Sequence, residues 1–436
     1  MIPSPERGRV APVIAPSRVY LSPGMFGFAR LASFEYFEHV VRAIEERFKA
    51  RGRGCEVHVC EVHPTASVRR RAGKLAAMIA ETASNDSGPI HIVGHSTGGL
   101  DARLVASPSA HLGRSAARLE WTPRICSVTT VNTPHYGTPL ASFFATVSGQ
   151  RLLYAVSALT VAGLKLGAPP LAATSAIMAA FGRVQIGKLE IELVERTVEG
   201  VIRVLDEASS RELRAWLQLL RDDQGGIVQL MPEAMDLFQA GVEDREGVRY
   251  QCVATYAPES AMTDWVSALR SPWSAASATI FAALYKITAR QDTRYPCAPH
   301  DGSATARVRA LLGEAPDPRA SDGIVPLYSQ IWGELIWVGK ADHLDIVGHF
   351  PGPRVRGQTT GPFHTDWLSS GARFNRVRFD VVMDRIVNGM MVAEELRRRA
   401  PSAGSVPPPP RRSSLPPPPL DPVITVLPGT PRLPRE

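Results

Sequence analysis

The chain has 436 residues, 44% of them apolar, enough to bury a large core as one elaborated domain or two ordinary ones. Its net charge of +7 is concentrated at the end: from Arg397 onward seven arginines face only Asp421 and Glu436, which leaves +5 there and +2 for the body. A body so nearly neutral argues against a nucleic-acid partner, and five scattered cysteines without a C-x-x-C pair argue against a zinc site or a disulfide framework. Reduced thiols are expected, with a Cys252 to Cys297 bridge open only to an exported protein.

Residues 1–17 carry Pro3, Pro5, Pro12 and Pro16 and lack an apolar core of the kind a signal peptide needs, so a flexible segment and a cytoplasmic location are expected, with secretion by another route left open. Arg18 to Leu21 reads as a strand, Phe34 to Arg51 as a helix, Cys55 to Val62 as a strand and Val68 to Thr82 as a helix. Strands follow at Ile90, at Ile125 to Asn132, at Val248 to Tyr256 and at Leu335 to Val338. This alternation predicts the α/β class, a mostly parallel sheet with helices on both faces. A helical cap is expected at about 140–245. Within it Leu152 to Phe181 is the most apolar stretch, but Lys165 and Pro169-Pro170 split it into a hairpin too short to span a membrane. Leu189, Leu193, Val198, Val201 and Leu205 recur at helical spacing, so Lys188 to Leu220 reads as an amphipathic helix pair. An irregular insertion is expected at about 258–320, with Arg290 to Ala320 its clearest part. Thirteen of the 37 prolines lie beyond Arg399, where residues 400–436 read as a disordered tail after a catalytic domain at 18–399.

Residues 90–103, IHIVGHSTGGLDAR, place Ser96 where a short apolar strand turns sharply into a helix. A serine at such a turn sits in a strained backbone conformation that needs small residues two positions before and after it, and Gly94 and Gly98 supply them. The turn lifts the hydroxyl above the sheet and aims the first helical amides at whatever it attacks. Ser96 is therefore the candidate nucleophile.

Such a serine needs a base, and the base needs an acid to hold its tautomer. The α/β-hydrolase chain order is Ser, then Asp or Glu, then His. Asp322, in a tight Ser-Asp-Gly turn, is the candidate acid, with Asp301 and Asp101 as rivals; Asp101 lies on the helix after Ser96 and should point away from it. His343, directly beyond the Leu335 to Val338 strand, is the candidate base over His349 and His364. His95 adjoins the nucleophile and is expected to pack beneath the turn.

SPGMFGF at 22–28, GHSTGGLDAR at 94–103, VNTPHYGT at 131–138, QLMPEAM at 229–235, SDGIVP at 321–326 and DHLD at 342–345 occur in this order. With these pieces the chain resembles the bacterial true lipases of the α/β-hydrolase fold, the Pseudomonas and Burkholderia type, over about residues 18–350. The resemblance implies Ser96, Asp322 and His343 as the triad and the amides of Met25 and Thr97 as the oxyanion hole. It also implies a structural calcium between two aspartates near the histidine; Asp345 matches one and Asp301 is the guess for the other. The family's His-Gly after the first strand is Pro23-Gly24 here, so a hydrogen bond that steadies the oxyanion loop is expected to be missing.

The function expected is lipase-like hydrolysis of a lipid or small ester, with no cofactor in the chemistry and transient contact of the cap with a lipid surface. The alternatives are acyl transfer to an alcohol through the same acyl-enzyme, and a catalytically idle hydrolase fold that binds a partner, with the proline-rich tail as its interaction element.

Overall fold

The computed structural model describes residues 15–25, 30–31, 34–83, 87–112, 120–146, 149–150, 153, 199–200, 202–203, 205–259, 272–352, 366 and 368–399. The expected hairpin at 152–181, the first part of the helix pair at 188–220, most of the N-terminal segment and the tail at 400–436 lie outside the described residues.

Along β1 (Ser17–Ser22) Val19 and Leu21 bury on one side and Tyr20 on the other, the period-2 alternation of a strand covered on both faces. A two-residue antiparallel pair, β2 (Arg30–Leu31) and β3 (Phe34–Glu35), precedes α1 (Glu38–Ala50). The helix expected from Phe34 thus starts at Glu38, because the residues before it are held in strand pairing. Next come β4 (Cys55–Val59), α2 (Val68–Thr82), β5 (Ile90–His95), α3 (Thr97–Ala106) and β6 (Ile125–Val131). The strand expected to Val62 stops at Val59. The α2 limits match the expectation, and its start is marked by Ser67, whose side chain accepts the Arg70 amide.

The helical insertion contains α4 (Pro139–Phe144), α5 (Glu207–Asp222), α6 (Gly225–Gln229) and α7 (Pro232–Gly241). Leu213, Leu217 and Leu220 line one side of α5 and are buried, each worth about 1.5–3 kcal/mol of transfer free energy. Then follow β7 (Arg249–Tyr256), α8 (Pro272–Thr288), α9 (Ser303–Leu312), β8 (Glu334–Lys340) and α10 (Arg376–Arg399). The excursion expected to be irregular over 290–320 therefore holds a helix. Its Arg and Ala content favours helix, and the left-handed glycines Gly302 and Gly313 bound it.

All six long strands pair in parallel in the order β4-β1-β5-β6-β7-β8. α1 and α10 cover one face through Ile44, Phe48, Phe379, Val382 and Ile386; α2 and α3 cover the other through Leu75, Ile79, Ala102 and Val105. From β1 the chain crosses outward to β4, and from β5 it crosses the other way to β6, so the crevice between the carboxyl ends of β1 and β5 is the topological switch point. A parallel sheet clad on both faces, with a serine at the strand-to-helix turn beside this point, is the α/β-hydrolase fold. All five cysteines are free thiols; Cys252 sits inside the sheet on β7, so the bridge to Cys297 is not formed. Among the described residues no helix is long and apolar enough to cross a membrane.

Glu394 binds α10 to the sheet. Its Oε1 accepts Ser17 Oγ at 2.7 Å and meets His91 Nε2 at 3.1 Å, while Oε2 pairs with Arg53. Burial would raise this carboxyl, but the hydrogen bonds from His91, Ser17 and Arg53 outweigh it and hold the group at about 2. A depressed folded-state value stabilises above the ordinary carboxylate range, and that contribution is lost as pH falls through the range toward 2. Glu394→Ala is expected to destabilise by about 3 kcal/mol at pH 7. Urea melts at pH 7 and pH 3 should show the gap to wild type narrowing at pH 3, and a gap independent of pH would contradict this role.

Candidate active site

Ser96 caps α3 with φ 54° and ψ −128°, a left-handed conformation that a side chain rarely adopts. Its amide donates to Val131 O at 2.8 Å, which fixes the turn to β6. A Cβ on Gly94 would lie 2.1 Å from Gly98 O, and one on Gly98 would lie 2.0 Å from Ser22 O. Both positions exclude any side chain, as the sequence pattern predicts. Ser96 is 7% exposed.

The turn after α9 carries Asp322. Its Oδ1 accepts the amides of Ile324 at 2.9 Å and Val325 at 2.7 Å, which leaves Oδ2 aimed at His343 Nδ1, 2.7 Å away. The His343 amide returns a bond to Asp322 O at 3.1 Å, so the loop beyond β8 and the Asp322 turn are joined twice. Asp322 is fully buried and His343 is 5% exposed. The structure thus brings the predicted acid and base together. Among the described residues no hydrogen bond links Ser96 Oγ to His343; catalytic hydrogen bonds are often long before substrate arrives.

Met25, Ser96 and Thr97 line a partly open cleft whose walls include Leu140, Phe144, Ile227 and Leu230 from the insertion. Ile324 and Val325, which bind the Asp322 carboxylate through their amides, line it as well. The lining is almost wholly apolar apart from Ser96, Thr97 and Thr138.

The rivals lie elsewhere. Asp101 points away from the nucleophile and pairs with Arg71 at 2.8 Å, both fully buried. His349 is buried with Nε2 3.2 Å from Tyr36 O, His95 is buried beneath the turn, and His364 lies outside the described residues. Asp301 is exposed and accepts the Ser303 amide at 2.9 Å at the start of α9. Asp345 is buried and accepts the Asp342 amide at 2.9 Å. Burial, with the Asp366 charge adding to it, pushes Asp342 up to about 8; burial and Asp342 push Asp345 well up. Among the described residues no group of three or more His, Cys, Asp or Glu side chains is arranged to hold a metal ion. Asp301 is exposed at the start of α9 and Asp345 is buried against Asp342, so the two do not form the expected calcium pair.

Two buried side chains hold the Ser22-Pro23-Gly24 loop. Arg71 donates to Pro23 O, and also to His63 O at 3.0 Å, while Asp101 Oδ2 accepts Ser22 Oγ at 2.8 Å. The buried pair therefore grips the loop from both ends of Ser22-Pro23. Arg71 stands third in a run of three arginines on α2, which reads as a solvated face; only its burial distinguishes it.

No family model matches the chain. A stretch of 124 residues is 29% identical to a triacylglycerol lipase of Vibrio cholerae, covering 28% of this chain and 34% of that protein, so the match spans about a third of the relative's length. Among solved structures the chain is similar to EstA from Clostridium botulinum, at 18% identity and a TM-score of 0.45 over 83% of this chain and 87% of that one. It is also similar to Staphylococcus hyicus lipase, at 14% identity and a TM-score of 0.45 over 91% and 100%.

Arg71→Ala strands the Asp101 carboxylate in the interior and is expected to destabilise by about 3–5 kcal/mol, whereas Arg71→Met with Asp101→Leu recovers most of that loss. Chemical denaturation of wild type, Arg71→Met, Asp101→Leu and the double variant measures the coupling; additive losses would contradict the pairing.

Proposed function

We propose that this protein is a serine carboxylic ester hydrolase of lipase type, related in mechanism to the Pseudomonas and Burkholderia enzymes, with Ser96 as nucleophile, His343 as base and Asp322 as acid. The observation that carries the reading is the 2.7 Å bond from His343 Nδ1 to a buried Asp322, next to a strained serine at the switch point of the sheet. That bond leaves Nε2 as the basic nitrogen. As Ser96 Oγ attacks an ester carbonyl, His343 Nε2 takes its proton, and Asp322 stabilises the imidazolium through Nδ1–H. Negative charge gathers on the carbonyl oxygen, where the amides of Met25 and Thr97 receive it. Collapse breaks the bond to the alcohol, which leaves with the proton from Nε2–H. Water, deprotonated by the same nitrogen, then attacks the acyl-enzyme and releases the acid.

The apolar cleft suits an acyl chain, which supports an acyl ester over a polar or charged substrate. Exposed Val228 lies on α6, which also lines the cleft, and exposed Leu219 and Leu237 lie on α5 and α7, which flank it in the chain; together they support transient contact with a lipid surface. We place the hydrolysis on soluble or interfacial esters in the cytoplasm, with secretion by another route as the competing location.

Wild type is expected to gain the mass of one fluorophosphonate less HF, which Ser96→Ala abolishes, and p-nitrophenyl ester turnover should favour longer acyl chains. His343→Ala should lower kcat by about 10⁴-fold or more with the melting temperature kept. A folded wild-type protein that takes up no label, or a His343→Ala variant that stays active while His349→Ala does not, would overturn the assignment.

A further inference from the structure

We propose that Tyr36 and His95 are positioning residues that lock the oxyanion loop and the base-bearing loop to each other through one hydrogen-bonded chain, an inference that rests on Ser96 being the nucleophile. Three contacts carry it. The Gly24 backbone N–H bonds to the Tyr36 hydroxyl; Tyr36 Oη lies 2.5 Å from His95 Nδ1; His95 Nε2 lies 2.9 Å from the carbonyl oxygen of His343.

Every proton in this chain has one allowed place. The His343 carbonyl can only accept, so His95 Nε2 carries a hydrogen. Burial first, and then the neighbouring His343, hold the His95 imidazole well below the usual histidine range, so the ring is neutral and its Nδ1 is a lone pair. The Tyr36 hydroxyl must then donate to Nδ1, which leaves its oxygen free to accept from Gly24. Burial also keeps that phenol protonated. The order is Gly24 N–H to Tyr36 O–H to His95 Nδ1, then Nε2–H to His343 O, and each bond polarises the next.

The ends of the chain are the two moving parts of the chemistry. Gly24 precedes Met25, whose amide is a proposed oxyanion donor, and a Cβ on Gly24 would lie 2.8 Å from Ser96 Cβ. His343 carries the base, and its ring centroid is 4.7 Å from that of His95. Tyr36 lies ahead of α1 and is packed edge-on against Phe37 at 4.8 Å, so it is a fixed post between the loops. Asn132 Nδ2 reaches the same His343 carbonyl only at 3.5 Å, which makes His95 its principal donor. The chain thus does from a tyrosine what the absent histidine at position 23 was expected to do, and it reaches the base as well.

Tyr36→Phe removes one oxygen and no volume. Its kcat and its rate of fluorophosphonate labelling are expected to fall together by roughly tenfold to a hundredfold, with KM within about twofold and the melting temperature nearly kept. His95→Gln retains a donor and an acceptor and should recover activity relative to His95→Leu, and Tyr36→Phe should cost little more in the His95→Leu background. Imidazole ¹H–¹⁵N spectra of the Ser96→Ala protein, independent of turnover, should show one slowly exchanging His95 Nε2–H at pH 7 that shifts in Tyr36→Phe. Unchanged kcat in a folded Tyr36→Phe protein, or a His95 proton on Nδ1, would overturn the proposal. Wild type that takes no label while the His95 signal behaves as described would instead defeat the assignment of Ser96 and leave the chain standing.

Discussion

At the end of β5 the backbone passes through φ 54° at Ser96 and is kept there by contacts that admit no side chain: Gly94 against Gly98, and Gly98 against the carbonyl of Ser22. A non-glycine residue in that region costs about 1–3 kcal/mol and persists only where its surroundings over-determine it. Here the surroundings are the two central strands of a parallel sheet and a helix that begins on the next residue. The strain buys a serine hydroxyl raised above the sheet, directly opposite the loop that leaves β1. Every other part of the site is arranged around that one approach.

Two buried polar systems hold the approach from opposite sides. Arg71 and Asp101 lie on the α2 and α3 side and grip Ser22 and the Pro23 carbonyl. Tyr36 and His95 connect Gly24 to the carbonyl of His343. Buried charge is weak support for stability as such, since its desolvation offsets most of the Coulomb gain. Its use here is geometric, because a loop with proline and glycine in succession has few bonds of its own to fix it. The Asp322 turn is built on the same plan: two backbone amides occupy one carboxylate oxygen, so that only the other can reach His343.

Much of this was legible in the sequence. The alternation of strands and helices and the Gly94-x-Ser96-x-Gly98 spacing each report a local rule of backbone geometry that tertiary structure does not overrule. Asp322 and His343 followed from the order of residues along the chain and from their places at turns and strand ends. The partners that hold the loop were not legible. Arg71 looks like its two solvated neighbours, and Tyr36 looks like one more apolar residue in the helix expected from Phe34, because what distinguishes them is contact with residues 30 and 59 positions away. The helix α9 was hidden by proline and aspartate on either side of a run that itself favours helix. Asp301 was misleading for a related reason: an Asp-Gly pair marks a turn, and this one opens α9 at the surface.

The account depends most directly on where an acyl-like group settles when it reaches this cleft. A crystal structure of the fluorophosphonate adduct would decide it. The prediction is phosphorus bonded to Ser96 Oγ, with the phosphoryl oxygen within hydrogen-bond distance of the Met25 and Thr97 amides and His343 Nε2 turned to the ester oxygen. An adduct on any other residue, or a phosphoryl oxygen that faces solvent while both amides bond elsewhere, would contradict it.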